Sequence, residues 1–217
     1  MILILSLAYL QKIPQEYFCV YEGSTEPVSC QPADFCDNPK VISFEPNWAL
    51  EDTYDNWVER FDLHCASKSK IGFITSANFI GWVFTLLWVP RLSDLYGRQN
   101  FIIAGTIISF LAFTALLLTE SYTVLIMCMF AFGMTATVRA QVGVNYMYES
   151  VKRDHYITLY TIYGMLEGFN GLIATFYFMF VSKNFQGLFF MAYTWLILSL
   201  VAVFFYPESP RYLIKSG

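Results

Sequence analysis

Pro90-Arg91-Leu92-Ser93-Asp94-Leu95-Tyr96-Gly97-Arg98-Gln99 is a short charged stretch set between two apolar ones, and its surroundings decide the fold. Residues 72–89 before it contain no Asp, Glu, Lys or Arg, and neither do residues 101–119 after it. Each run approaches the ~20 residues that an α-helix needs to cross a ~30 Å hydrocarbon layer. A turn bearing Arg91, Asp94 and Arg98 between two such runs reads as a membrane hairpin, its turn on the cytoplasmic side by the positive-inside rule. Pro90 is expected to end the first helix.

Composition points the same way. Hydrophobic residues make up 56% of the chain and aromatic residues 19%, and the mean hydropathy is +0.47. A soluble domain seldom carries so much apolar surface. In lipid every backbone group must be paired internally, which leaves helices or a closed barrel. The apolar runs lack the alternation of barrel strands. The expected fold class is an all-α membrane protein.

Residues 1–14 read as a partial or short first span, and residues 15–70 as a polar loop. Spans two to six fall within 71–206, at about 71–89, 100–118, 122–148, 156–181 and 187–206. Residues 207–217 begin a cytoplasmic loop. Arg91, Arg98, Lys152, Arg153, Arg211 and Lys215 follow the even-numbered spans, whereas only Lys183 lies in the short turns after spans three and five. This distribution puts the 15–70 loop outside the cytoplasm.

That loop is acidic: Glu22, Glu26, Asp34, Asp37, Glu45, Glu51, Asp52, Asp55 and Glu59 face only Lys40 and Arg60 across its central part. No basic tract suggests nucleic acid. Four cysteines, Cys19, Cys30, Cys36 and Cys65, lie in it. On an oxidising face they form two disulfides with three pairings open, or they ligate zinc; the absence of Cys-x-x-Cys spacing favours disulfides over a metal. Cys128 reads as packing within a span.

Three motifs in this array resemble the major facilitator superfamily. The turn at 90–99 is similar to that family's Gly-x-Leu-x-Asp-Arg-x-Gly-Arg-Lys loop. Asp94, Gly97 and Arg98 are kept, while Pro90, Leu95 and Gln99 replace its first Gly, inner Arg and final Lys, which weakens the gating network the family builds there. Pro207-Glu208-Ser209-Pro210-Arg211-Tyr212-Leu213 resembles the Pro-Glu-Ser-Pro-Arg-Trp-Leu signature of organic ion and sugar transporters. Asn56-Trp57 with Phe61-Asp62-Leu63 and Cys65, in a large Cys-containing first loop, resembles organic cation transporter-like members. Glu149 and Arg153 match the acid–base pair that ends span four in these families.

The resemblance implies the amino-terminal six-helix half of a twelve-span bundle that binds a small organic solute between its halves, with the lipid bilayer around it. The other half would lie in the same longer chain or in other membrane subunits. It also favours the plasma membrane, and it implies no enzyme activity and no cofactor. The alternative is a transporter-derived half that lacks transport and serves as a structural subunit of a larger membrane complex.

Glu167 is the sharpest single residue, because a mid-span carboxylate costs at least ~2.5 kcal/mol to insert and should face a cavity or a partner. Helical spacing puts Tyr160, Tyr163 and Asn170 beside it. A carboxylate with two tyrosines suits an organic cation, through charge and cation–π contact; proton coupling and a purely structural acid stand beside that reading. Arg139, with Thr135, Val142, Gly143 and Tyr146 expected on its face, is the natural counter-charge. Asn78, Trp82, Trp88 and Trp195 are pathway candidates. Asp94, Gly97, Arg98, Glu149, Arg153, Glu208 and Arg211 are expected to be conformational or gating residues, or simply topology-setting charge. Gly164, Gly168 and Gly171 are expected to let helices approach closely. His64 and His155 are isolated, and no catalytic or phosphate-binding motif appears.

Overall fold

The computed structural model describes residues 2–23, 26–36, 38–205 and 207–208. Arg211, Lys215 and Asp37 lie outside the described residues, as does most of the 207–213 motif. Two compact units divide the chain: Met1–Ile71 with Gly171–Phe189, and Gly72–Asn170 with Phe190–Gly217.

In the first unit the chain opens on two single helical turns, α1 (Ile2–Leu5) and α2 (Leu7–Leu10). The polar loop is not plain coil. It holds an antiparallel sheet of β1 (Tyr17–Tyr21), β2 (Val28–Cys30) and β3 (Val41–Pro46) in the order β2-β1-β3, with α3 (Pro32–Phe35) between β2 and β3 along the chain and α4 (Trp57–Arg60) beyond. In β1, Tyr17 and Cys19 turn inward while Phe18 between them turns out, the two-residue period of a strand covered on one face. Tyr17 lies opposite Cys30 and Cys19 opposite Val28. The Cys19–Cys30 disulfide therefore runs diagonally between neighbouring strands, and Cys36–Cys65 fastens the end of α3 to the segment after α4. Of the three pairings open to the sequence, this is the one formed.

Under the sheet, Tyr17, Cys19, Cys30 and Phe35 form a small core, with Phe35 stacked on Phe44 at 4.2 Å between ring centres. Asn56 explains its own motif. Its side chain caps α4 by accepting from the Val58 amide (2.9 Å) and donates to the carbonyls of Tyr9 and Lys12 at 2.8 Å each. The Tyr9 ring stacks on Phe178 at 4.9 Å, and Asp55 bridges to Asn184.

The long helices follow: α5 (Lys68–Leu86), α6 (Val89–Tyr96), α7 (Arg98–Leu118), α8 (Tyr122–Thr137), a π-helical segment (Val138–Gly143), α9 (Val144–Ser150), α10 (Tyr156–Phe176) with a π-helical end (Tyr177–Val181), and α11 (Gln186–Val203). Among the described residues four continuous runs are long and apolar enough to cross a membrane, from Arg98, Tyr122, Arg153 and Gln186 onward. The pair α5 and α6, bent by 45°, makes a fifth if taken as one span.

The stretch at 90–99 departs from expectation. It is helical rather than a turn, and Pro90 stands in the first turn of α6 instead of closing α5. A first-turn amide has no helical acceptor, so proline loses nothing there and its fixed φ favours the start of a helix. The break falls at Leu87 and Trp88, before it.

Within the second unit, α5 and α8 meet backbone to backbone. A Cβ on Gly81 would strike the Phe130 carbonyl oxygen, and one on Gly133 would strike that of Asn78. Asn78 Nδ2 donates to the Met129 carbonyl (3.2 Å), and the hydroxyls of Thr85 and Thr137 lie 2.7 Å apart. Small residues and cross-helix hydrogen bonds are the usual means of joining helices in lipid. Among the described residues nothing lies within 4 Å of where a Cβ on Gly164 or Gly168 would stand, and one on Gly171 would meet Leu5 at ordinary contact distance, so these glycines make no close helix approach there. Tyr193 of α11 lies parallel to Phe110 and Phe113 of α7, at 5.6 and 5.8 Å.

Candidate functional site: an intramembrane charge cluster

The π-helical segment begins one residue before Arg139. A π turn takes more residues than an α turn, so side chains beyond it change azimuth. This corrects the face assigned to Arg139: Val142 and Tyr146 are buried while Arg139 is exposed. Val142 packs with Val89 and Val138, and the Tyr146 hydroxyl donates to the Pro207 carbonyl (3.0 Å).

Thr135 does stay with Arg139. Arg139 Nη1 donates to Thr135 Oγ1 at 2.9 Å and to Ser109 Oγ of α7 at 3.1 Å. Ser109 in turn donates to Thr135 (2.8 Å), and Thr135 to the Phe132 carbonyl (3.0 Å). On α10, the Tyr163 hydroxyl donates to Glu167 Oε1 at 2.8 Å. Arg139 is close enough to Tyr163 and Glu167 to interact with them electrostatically, yet among the described residues no ion pair within 4 Å joins Arg139 to Glu167. Each charge is held by neutral hydroxyls rather than by the other.

The remaining candidates divide. Tyr160 is exposed, one turn before Tyr163. Asn170 is half-buried, and its side chain bonds the Leu166 carbonyl of its own helix (2.9 Å). Asn78 is buried in the α5–α8 crossing. Its Oδ1 and the indole nitrogen of Trp82 one turn later are buried polar atoms without a hydrogen-bond partner among the described residues. Trp88 and Trp195 are exposed. Sequence reasoning missed Ser109, a serine in an apolar helix with no pattern to mark it.

A second cluster forms at the start of α7. Gly97, at φ +94°, separates α6 from α7, a conformation that strains any residue with a Cβ. Arg98 is bound by Asp94 at 2.7 Å and by Glu149 at 3.1 Å. Glu208 Oε1 accepts the backbone amides of Arg98 (3.1 Å) and Gln99 (3.3 Å). Glu149 thus pairs with Arg98, not with Arg153 as its motif suggested; Arg153 forms no ion pair among the described residues.

A polytopic helical membrane protein with a charge cluster in its spans and a second at its helix ends is the class these observations define. The family model "Sugar (and other) transporter" matches residues 7–217. The chain belongs to that family, within the major facilitator superfamily, and is a multi-pass integral membrane protein. It is 27% identical over 147 residues to solute carrier family 2, facilitated glucose transporter member 12, of Macaca fascicularis. The Homo sapiens protein of the same name is 26% identical over the same length. Each alignment covers 66% of this chain and 24% of the relative, so the chain matches about a quarter of the curated relatives' length.

Proposed function

We propose that this chain is the amino-terminal half of a secondary transporter that moves a small organic solute across the plasma membrane by alternating access, with the other half supplied by the same longer chain or by other membrane subunits. Family membership supports transport, and the glucose-transporter relatives support a sugar as cargo. The observation that carries the reading is the Arg139–Glu167 arrangement: two opposite charges in one cluster, unjoined, each steadied by hydroxyls. Charge within a membrane span is costly unless it serves a polar ligand or partner.

The local charge balance bears on the cargo. A lone organic cation attracted to Glu167 and Tyr160 would meet the like charge of Arg139. A neutral polyhydroxylated solute can accept from the guanidinium and donate to the carboxylate at once. That favours a sugar-like solute over the organic cation expected from the first-loop motifs.

Uptake of radiolabelled hexose, tetraethylammonium and para-aminohippurate by cells expressing the intact protein tests this. Hexose should enter, and Glu167→Gln and Arg139→Ala should each reduce its entry at least tenfold, as loss of a charged hydrogen bond does. Uptake of tetraethylammonium alone would restore the cation reading. Uptake unchanged in both variants would remove the site.

A further inference from the structure

We propose that Ser109 and Thr135 are positioning residues for Arg139: a hydroxyl pair on two neighbouring helices grips the guanidinium and keeps it off Glu167, so that both charges stay available to solute. This rests on the reading of Arg139 and Glu167 as the solute-binding charges.

The direction of the hydrogen bonds makes the case. A serine or threonine in mid-helix ordinarily bonds the carbonyl one turn back on its own helix. Thr106, Thr114 and Ser199 do so here, to Ile102, Phe110 and Trp195. Ser109 does not: its hydroxyl leaves α7 and donates to Thr135. Thr135 passes its own proton to the Phe132 carbonyl. Both hydroxyl protons are thereby spent away from Arg139, and both oxygens turn lone pairs toward it. Ser109 and Thr135 are 3% and 1% exposed, so water does not compete for those lone pairs.

The pair is also neutral. A carboxylate in its place would cancel the guanidinium charge; two hydroxyls orient it and leave it whole. Among the described residues the bonds formed use Nη1, out of a fork that offers five N–H donors. Thr135 lies four residues before Arg139, on the side toward which a helical side chain leans. Ser109 adds a contact from a second helix and so fixes the direction. Without the pair, the strongest acceptor near Arg139 is Glu167, whose only described side-chain partner is Tyr163. Collapse of Arg139 onto Glu167 would neutralise both.

The test uses the intact protein purified in detergent and needs no solute. The rate at which phenylglyoxal modifies Arg139 is followed by mass spectrometry. In Ser109→Ala and in Thr135→Val the guanidinium should pair with Glu167 and its modification should slow about tenfold, the weight of one charge-assisted hydrogen bond. Thr135→Ser, which keeps the hydroxyl, should react at the wild-type rate, as should Ser199→Ala. Adding Glu167→Gln to Ser109→Ala should abolish the protection. An unchanged or faster rate in Ser109→Ala and Thr135→Val overturns the proposal. Where the rates shift as described but Arg139→Ala transports hexose normally, the clamp stands and the solute site is what fails. In transport, Ser109→Ala should raise KM for hexose with little change in maximal rate.

Discussion

Glu208 holds the first turn of α7 from 110 positions away: its carboxylate accepts the amide of Arg98, the residue whose own side chain is drawn to Asp94 and Glu149. Gly97 offers α7 no side-chain cap, so Glu208 supplies one from a distant part of the same chain and places negative charge where the helix dipole favours it. One residue thus joins the segment after α11 to a helix start and, through it, to a buried ion pair.

Replacing Glu208 by Ala should cost about 1–2 kcal/mol, the usual value of a charged cap. Glu208→Gln should fall between, since an amide oxygen still accepts but carries no charge. Thermal melting of the purified protein reads both. Equal stability of Glu208→Ala and wild type would mean that the cap is not held in solution.

Glycine substitutions should separate by helix. Gly133→Ala forces α5 and α8 apart, because the new methyl lands on the Asn78 carbonyl, and overpacking of that kind costs about 1–3 kcal/mol. Gly164→Ala meets nothing and should be neutral or gain up to ~1 kcal/mol from helix propensity. The melting temperatures of the two variants should therefore move in opposite directions, or only the first should move.

Acidity should loosen the first-loop domain through His64. The ring is 6% exposed, with Nδ1 3.0 Å from the Tyr17 hydroxyl and Nε2 3.3 Å from Glu59. A carboxylate only accepts, so Nε2 carries the proton and Nδ1 receives that of Tyr17. Burial pulls the His64 pKa below its ordinary 6.5, against the opposing pull of Glu59 and Asp62. A group depressed in the folded state lends stability above its unfolded pKa and loses it as pH falls. Asp55, pushed up by burial, acts in the opposite sense at more acidic pH. Between about pH 7.5 and about pH 5.5 wild type should lose stability, and His64→Gln should lose less. Parallel pH profiles of the two proteins would rule out His64 as the source.

The two disulfides should differ in weight. Cys36–Cys65 closes a loop with a separation of 29 residues and Cys19–Cys30 one of 11. On chain entropy alone, removing the longer closure should cost about 1 kcal/mol more. Double-alanine variants of each pair, compared by limited proteolysis of the purified protein, give the order.

Much of this was readable beforehand, for physical reasons that vary by residue. The apolar runs were legible from hydropathy, and among the described residues helices long and apolar enough to cross a membrane start at Arg98, Tyr122, Arg153 and Gln186. Arg139 stood out as a charge in an apolar span, but the π-helical segment around it did not. Pro90 misled because its ring suits the start of a helix as well as the end of the one before. Gly164 and Gly168 looked like contact glycines, but composition does not say which face meets a neighbour; Gly81 and Gly133 do that work. Ser109 was invisible, since nothing in a sequence tells whether a hydroxyl bonds its own helix or the next. The sheet in the first loop was likewise hidden, its strands being three to six residues long.

Asn56 ties three pieces of backbone with a single amide: the opening turns at Tyr9 and Lys12, and the cap of α4. None of the three can shift without breaking a bond to the other two. The opening turns and the far end of the first loop should therefore melt together, and a binder that grips α4 should strain residues 9–12 without touching them.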